Sequence, residues 1–182
     1  PLAAARNLGV RSAVDAGAQM ITVHGRTRQQ FYKGEARWHL VRAVVDAVNV
    51  PVVVNGDITS AAAAREALDQ SGAAAVRVGR GAQGQPWAVG QIAAELAGQT
   101  ATPTPQGGEL ADIVLEHYEG VLSEYGAEVG VRAARKHLDW YLEAANVNVG
   151  KDVRKTLLES LDPTHVIALI RSIFSADLRA AA

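Results

Sequence analysis

Three short runs of β-branched and other apolar residues in the first half of the chain are each followed by a polar segment that contains glycine. Such runs are typical of strands in a parallel sheet that is covered on both faces. They predict strands at 20–24, 52–55 and 74–78. Helical spacing predicts helices at 8–16, 38–48, 61–70 and 86–98. The alternation indicates an α/β region of parallel strands and helices.

Local signals mark where these helices begin and end. Gly17 and Gly72 suit the C-terminal ends of two helices. Either Thr59 or Ser60 can cap the helix at 61–70, and Pro86 suits a first helical turn. The predicted helices therefore have plausible boundaries as well as helical spacing.

The second half of the chain has a different pattern. A stretch of Thr, Pro, Gln and Gly at 99–108 predicts a linker between a first domain, 1–98, and a second, 109–182. Apolar stripes then predict four amphipathic helices, the last of which begins at Asp162 and Pro163. Four such helices indicate a small helical bundle.

The glycine-containing loops suggest which α/β fold the first domain belongs to. In a (β/α)8 barrel, the phosphate site lies in the loops after the seventh and eighth strands. The loops at Asn55–Asp57 and Gly79–Gly84 follow the last two predicted strands, as that layout requires. Three strands cannot close a barrel. We therefore expect the C-terminal portion of a TIM barrel followed by the helical bundle.

Two of these loops have the residue types of a phosphate site. Gly56 in Asn55-Gly56-Asp57 lets backbone N–H groups approach an anion, although a plain turn would also need this glycine. In Gly79-Arg80-Gly81, two glycines flank a guanidinium that can bind phosphate oxygens in a bidentate manner. A surface arginine in a glycine-rich turn is the alternative. The two loops together favour phosphate.

His24 ends the first predicted strand at the same edge, where it could contact a cofactor or substrate or be purely structural. Arg26 and Arg28 follow it and could contact an anionic partner, or lie in a solvated loop. Phe31, Tyr32 and Trp38 are interleaved with these charges and suit either stacking on bases or packing of the loop.

A second group of cations lies in the predicted helices. Helical spacing places Arg132, Arg135, Lys136 and Trp140 on one face, and Lys151 and Arg154 begin the next helix. This local patch could bind RNA phosphates, with affinity that falls as salt rises. A solvated helix face is the alternative.

Composition limits which classes of function and location fit the chain. The 182-residue chain has a formal net charge of −1, so any nucleic-acid binding must depend on a local patch. It contains no cysteine, which excludes disulfides and cysteine nucleophiles within this chain. No His-rich spacing indicates a metal site. No run reaches membrane-spanning length and the first residues lack signal-peptide character, so we expect a cytoplasmic location.

These motifs closely resemble the tRNA-dihydrouridine synthases of the bacterial B type. The resemblance covers most of the chain in order: Val23-His24-Gly25-Arg26-Thr27-Arg28-Gln29 with Tyr32 and Gly34, Asn55-Gly56-Asp57-Ile58, Gly79 to Gly84 with Pro86-Trp87, and Arg132 to Tyr141. It implies an FMN-bearing (β/α)8 barrel followed by a helical tRNA-binding domain. The implied reaction reduces a tRNA uridine to 5,6-dihydrouridine, with NADPH as the reductant of the flavin.

The resemblance also implies roles for individual residues. FMN would be bound by Asn55, Gly56, Asp57, Gly79 and Arg80, with Gly81 in the same phosphate loop and His24 beside the isoalloxazine or the flipped uracil. Arg132, Arg135 and Lys136 would face tRNA. From their charge and position, we expect Arg26, Arg28, Lys151 and Arg154 to contact RNA as well.

The chain departs from the family by lacking the N-terminal half of the barrel, with its flavin-binding lysine and the cysteine that acts as general acid. We therefore expect no catalytic residue in this chain and no activity from it alone. The open half-barrel edge could support self-association. Another FMN or sugar-phosphate barrel enzyme, or a non-catalytic RNA-binding module, are the alternatives.

Overall fold

The computed structural model describes residues 2–30 and 33–175, with side chains from residue 9 onward. Phe31 and Tyr32, which the sequence suggests for base stacking or loop packing, lie outside the described residues. The chain divides into two compact units. The first unit contains the described residues up to Ala82 and the segment Trp87–Thr102. The second unit contains Gln83–Pro86 and the described residues from Pro103 onward.

The first unit is built on a small parallel sheet. Its strands are β1 (Ile21–His24), β2 (Val52–Asn55) and β3 (Ala75–Arg77), in the order β1-β2-β3. All three predicted strands are confirmed, and β2 has the predicted bounds. The sheet of the described residues is open, because its outer strands each pair with β2 alone.

Helices cover one face of this sheet. They are α1 (Leu2–Asp15), α2 (Arg42–Val45), α3 (Ala61–Ser71) and α4 (Ala88–Leu96). Valines and alanines from the sheet and helices form most of the core: Val41, Val44, Val52, Val54, Ile58, Ala64, Ala67 and Ile92. Burial of these side chains is the main stabilising contribution to the unit.

The helix predicted at 38–48 is shorter than expected. A 3-10 helix at Trp38–Val41 leads into the single turn of α2, which ends at Val45. Trp38 donates its indole N–H to the carbonyl of Gly56 at 2.8 Å, which ties the start of this segment to the loop after β2. Valine also has a lower helix propensity than unbranched residues, and several lie in this segment.

Helix α3 has the ends that the sequence predicts. The Ser60 hydroxyl, not that of Thr59, accepts a hydrogen bond from the Ala63 N–H at 3.1 Å and caps the helix. Gly72 follows its last turn in the left-handed conformation, with φ of 66°. The chain then turns directly into β3.

The second unit is helical. It contains α5 (Gly107–Ala144), α6 (Lys151–Glu159) and α7 (Pro163–Phe174). Helix α5 is interrupted at Gly126, whose φ of 73° and ψ of 162° are not helical. The rings of His117 and His137 lie 4.8 Å apart although 20 residues of straight helix would span about 30 Å, so the chain folds back at Gly126.

The two arms of α5 thus correspond to the first two predicted helices, and α6 and α7 to the third and fourth. Helix α5 packs against α6 and α7, which also contact each other. The Asp162 carboxylate caps α7 by accepting a hydrogen bond from Thr164 N–H at 2.9 Å. Among the described residues, no helix is both long enough and apolar enough to cross a membrane.

Candidate functional site

The loops after the three strands begin at the same edge of the sheet. His24 pairs in register with Asn55, and Asn55 pairs with Arg77. The N–H of Gly25 donates to the Asn55 carbonyl at 2.8 Å, which extends the first pairing into the loops. The expectation that the polar loops converge at one edge is therefore confirmed, because parallel strands bring their carboxyl ends together.

His24 is held by the loop that follows it. Its Nδ1 accepts a hydrogen bond from the Arg26 backbone N–H at 3.1 Å, so the neutral ring carries its proton on Nε2. Its ring packs over Gly56, where a Cβ would stand 3.0 Å from the His24 Cε1. Burial and, next, the positive charge of Arg26 lower the pKa of His24. His24 is therefore a neutral imidazole that presents its Nε2–H as a hydrogen-bond donor.

The loop after β2 bends sharply at Gly56 and Asp57. Their φ angles are 119° and 56°, both in the left-handed region that favours glycine. The Asp57 carboxylate is bound by protein groups: its Oδ2 accepts from the Arg26 guanidinium at 2.5 Å and from the Ala36 N–H at 2.8 Å. This loop is therefore fixed by its own side chain as well as by its backbone.

Arg26 does not occupy the exposed position that the sequence suggests. Its side chain is 5% exposed, and its guanidinium donates to Asp57 and to the Gly34 carbonyl. A side chain so buried does not reach an RNA partner in this structure, because its charge is used to pair with Asp57. Arg28, in contrast, is exposed in a 3-10 turn at Arg28–Gln30.

The loop after β3 combines an exposed cation with two glycines in different surroundings. The Arg80 side chain is 55% exposed and its guanidinium lies 3.6 Å from the Asp57 Oδ1. A Cβ on Gly81 would stand 2.4 Å from the Ile58 carbonyl oxygen, whereas a Cβ on Gly79 would meet no atom within 4 Å. The two loops are thus in backbone contact at Gly81, and space is open beside Gly79.

Gly84, at the end of the glycine-rich motif, belongs to the second unit. A Cβ there would stand within van der Waals overlap of the Trp140 carbonyl, and φ is 70°. The motif therefore has two separate structural roles. Gly79–Gly81 shape the loop after β3, and Gly84 allows close packing on helix α5.

Arg77 is a site residue that the motifs do not indicate. It is exposed on the sheet face that carries no helix, in register with Asn55 and on the same row as His24. Side chains in a strand alternate between the two faces of the sheet. This two-residue period was the available signal that Arg77, two positions before Gly79, lies on the open face. A cation thus lies at the same level of the sheet as His24.

The cations predicted on the helices have different surroundings. Arg154 is paired with Asp139 at 2.5 Å and with Glu143 at 3.5 Å. Arg135 donates to the Glu159 carbonyl, and Arg132 lies 3.6 Å from Glu128 in an exposed pair. Lys151 is exposed at the first turn of α6.

Lys136 belongs to an aromatic cluster on α5 that the sequence indicates only in part. Its ammonium lies over the Trp140 ring, 5.1 Å from the ring centre. His137 packs edge-on against Trp140, and His117 packs against His137. The Tyr141 hydroxyl is hydrogen-bonded to the His117 Nδ1 at 3.0 Å. The cluster therefore combines an exposed cation, a half-buried indole and a fixed imidazole pair.

The sequence is similar to proteins of one known family. The family model described as dihydrouridine synthase matches residues 8–177. A probable tRNA-dihydrouridine synthase of Rhodobacter capsulatus is 57% identical over 160 residues, which are 88% of this chain and 48% of that protein. The tRNA-dihydrouridine synthase B of Xanthomonas axonopodis is 40% identical over 166 residues, 91% and 49% of the two chains.

A probable tRNA-dihydrouridine synthase of Rickettsia typhi is 50% identical over 129 residues, which are 71% of this chain and 39% of that protein. The chain spans about half the length of the curated relatives it matches most fully. Because the family model covers nearly the whole sequence, the chain belongs to the dihydrouridine synthase family.

Proposed function

We propose that this chain is part of a flavin-dependent oxidoreductase that reduces uridine to 5,6-dihydrouridine in tRNA. The observation that carries the proposal is the convergence of the loops after β2 and β3 around Arg80, in a chain of this family. The chain spans about half the length of its relatives, which supports its assignment as part of a longer enzyme.

The loops fit the phosphate of FMN. The open space at Gly79 lets an anion approach the backbone, and Arg80 presents an exposed guanidinium beside it. The residues that would hold FMN are His24, Asn55, Gly56, Asp57, Gly79, Arg80 and Gly81. Asp57 would act through its backbone, because its carboxylate already binds Arg26 and the Ala36 N–H.

When bound, the flavin, reduced by NADPH, supplies the hydride for the uracil ring. The described residues provide binding and orientation. His24 offers its Nε2–H at the strand ends, and Arg77 adds positive charge on the same row of the sheet. Protonation of the uracil requires a general acid. This chain contains no cysteine that could act as that acid. That group would come from the remainder of the longer protein.

The open sheet supports a parent (β/α)8 barrel. An apolar groove of about 910 Å³ runs from Met20, beside β1, across the sheet to β3 and to Val89 of α4, and both Met20 and Val89 are exposed. Apolar surface of this extent beside an unpaired strand edge is where the remaining strands and helices of the barrel would pack. The helices α5–α7 would form the tRNA-binding bundle of the same enzyme.

The test uses the full-length protein. We expect it to retain FMN and to form dihydrouridine from unmodified tRNA with NADPH, as measured by flavin absorbance and nucleoside mass spectrometry. Arg80→Met should lower FMN affinity, while Arg65→Met, on the exposed surface of α3, should not. A protein that neither binds flavin nor forms dihydrouridine would contradict the proposal.

The RNA surface has its own test. Lys136→Ala and Lys151→Ala should each weaken tRNA binding and reduce the slope of log affinity against log salt, by up to about one unit per lost phosphate contact. Arg65→Ala is the matched control, because it removes one exposed cation from α3, outside the proposed RNA surface. Equal losses from the control and from Lys136→Ala would assign the patch to a solvated helix face.

A further inference from the structure

We propose that Arg26 and Asp57 are positioning residues that keep the charge of Arg80 directed at a ligand phosphate, so that the buried Arg26 determines the selectivity for a phosphorylated flavin. The inference rests on the proposed function, because it assigns a phosphate to Arg80. It concerns a residue that does not itself reach the ligand.

The Asp57 carboxylate joins three segments of the first unit. Its Oδ2 accepts hydrogen bonds from the Arg26 guanidinium at 2.5 Å and from the Ala36 N–H at 2.8 Å. Its Oδ1 lies 3.6 Å from the Arg80 guanidinium, beyond hydrogen-bonding distance. Arg26 and Ala36 thus bind one oxygen firmly, and Arg80 forms a longer ion pair with the other.

The charges of Asp57 and Arg26 balance inside the protein. Burial alone raises the pKa of Asp57, but hydrogen bonds from Arg26 and Ala36 and the charges of Arg26 and Arg80 lower it overall. The carboxylate is therefore ionised at neutral pH. Arg26 is held in place by two further hydrogen bonds to the Gly34 carbonyl, at 3.0 and 2.6 Å.

This balance leaves the cluster with a net charge of one positive unit. Two guanidiniums and one carboxylate contribute, and the exposed member is Arg80, with 55% of its side chain accessible. If Arg26 lost its charge, the unneutralised Asp57 carboxylate would pair more closely with Arg80 and repel a phosphate. The Arg80 guanidinium lies 3.6 Å from the Asp57 Oδ1, so a shift of about 1 Å would bring the two groups to hydrogen-bonding distance. Their electrostatic attraction would increase as they approach.

The test compares FMN with riboflavin, which lacks only the phosphate. Affinities of both are measured by fluorescence titration of the flavin-free full-length protein. Arg26→Met should lower the FMN-to-riboflavin affinity ratio by about tenfold or more, the scale of a lost charge-assisted contact. The double variant Arg26→Met/Asp57→Asn removes both charges and should restore the ratio to within about threefold of the wild type.

A merely structural role for Arg26 would lower both affinities together and leave the ratio unchanged. That result, or a double variant that does not recover, would overturn the inference. Arg26→Lys retains the charge and should retain the ratio even where stability falls, which keeps the test decisive if Arg26→Met does not fold. A loss of the ratio in a normally folded Arg26→Lys variant would also count against it.

Failure of the proposed function is distinguishable from failure of this inference. If the wild type binds no flavin, or if Arg80→Met keeps the wild-type ratio, the phosphate assignment itself is wrong. If Arg80→Met loses the ratio but Arg26→Met keeps it, the phosphate site stands and Arg26 has no positioning role.

Discussion

Two glycines in the loop after β3 should respond differently to the same substitution. Gly81→Ala adds a methyl group 2.4 Å from the Ile58 carbonyl oxygen and 3.1 Å from the Thr59 Cα. Gly79→Ala adds the same group where no protein atom lies within 4 Å. A comparison of the two variants therefore separates the loss of unfolding free energy caused by crowding two loops from any general effect of replacing glycine.

The magnitude follows from the distance. Ordinary contacts of a Cβ begin at 3.4 Å, so the methyl at 81 must move away from the Ile58 oxygen by about 1 Å. Both partners belong to backbone, which cannot rotate away as a side chain can. Overpacking of this kind costs about 1–3 kcal/mol of unfolding free energy. Gly79→Ala should leave stability unchanged or raise it slightly, because alanine restricts the unfolded chain.

Urea unfolding of the flavin-free full-length protein measures this difference. FMN titration adds a second, independent readout. Gly81→Ala should lose both stability and FMN affinity, whereas Gly79→Ala should lose FMN affinity alone, since its methyl would occupy the space open to the phosphate. Equal stability of the two variants would refute the contact between the loops. Unchanged FMN affinity of Gly79→Ala would refute the placement of the phosphate.

Three further expectations concern stability. Ser60→Ala removes the cap of α3 and should cost about 1 kcal/mol by urea unfolding, with Ser60→Asp as a control that retains an acceptor. Gly120→Ala, exposed in α5 with no atom nearby, should stabilise by up to about 1 kcal/mol, whereas Gly84→Ala should destabilise because φ is 70° and a backbone carbonyl blocks the methyl. Burial and, next, the charge of His137 lower the pKa of His117 below 6.5. The stability that depends on neutral His117 is present above pH 6.5 and is lost as pH falls through its lower folded value, so His117→Gln should reduce the acid sensitivity of unfolding below pH 6.5.

The strands and their convergence could be predicted because they depend on local signals. A valine run such as Val52–Val54 has few alternatives to a buried strand, and parallel strands necessarily place Asn55 beside His24. Ser60 was one of the two residues predicted to cap α3, and separate apolar stripes predicted two helices where the structure has the two arms of α5.

The pairings of the charged residues could not be predicted in the same way. Arg26 is bound to a carboxylate 31 positions away, and nothing in its immediate sequence distinguishes it from the exposed Arg28. Arg154 similarly lies against Asp139 and Glu143, which precede the turn between two helices. Long side chains choose partners through tertiary structure, so residue type alone overestimated the number of cations that face outward.

The short length of the outer strands has a consequence for aggregation. Exposed strand edges offer unpaired backbone groups to other molecules and are frequent starting points of intermolecular β-structure. Here β3 has three residues and ends in charged Arg77, while β1 has four and presents Thr22 and His24 on its helix-free face. Short edges offer few unpaired backbone groups to another molecule, so the length of β1 and β3 disfavours that association even though the groove beside β3 is apolar.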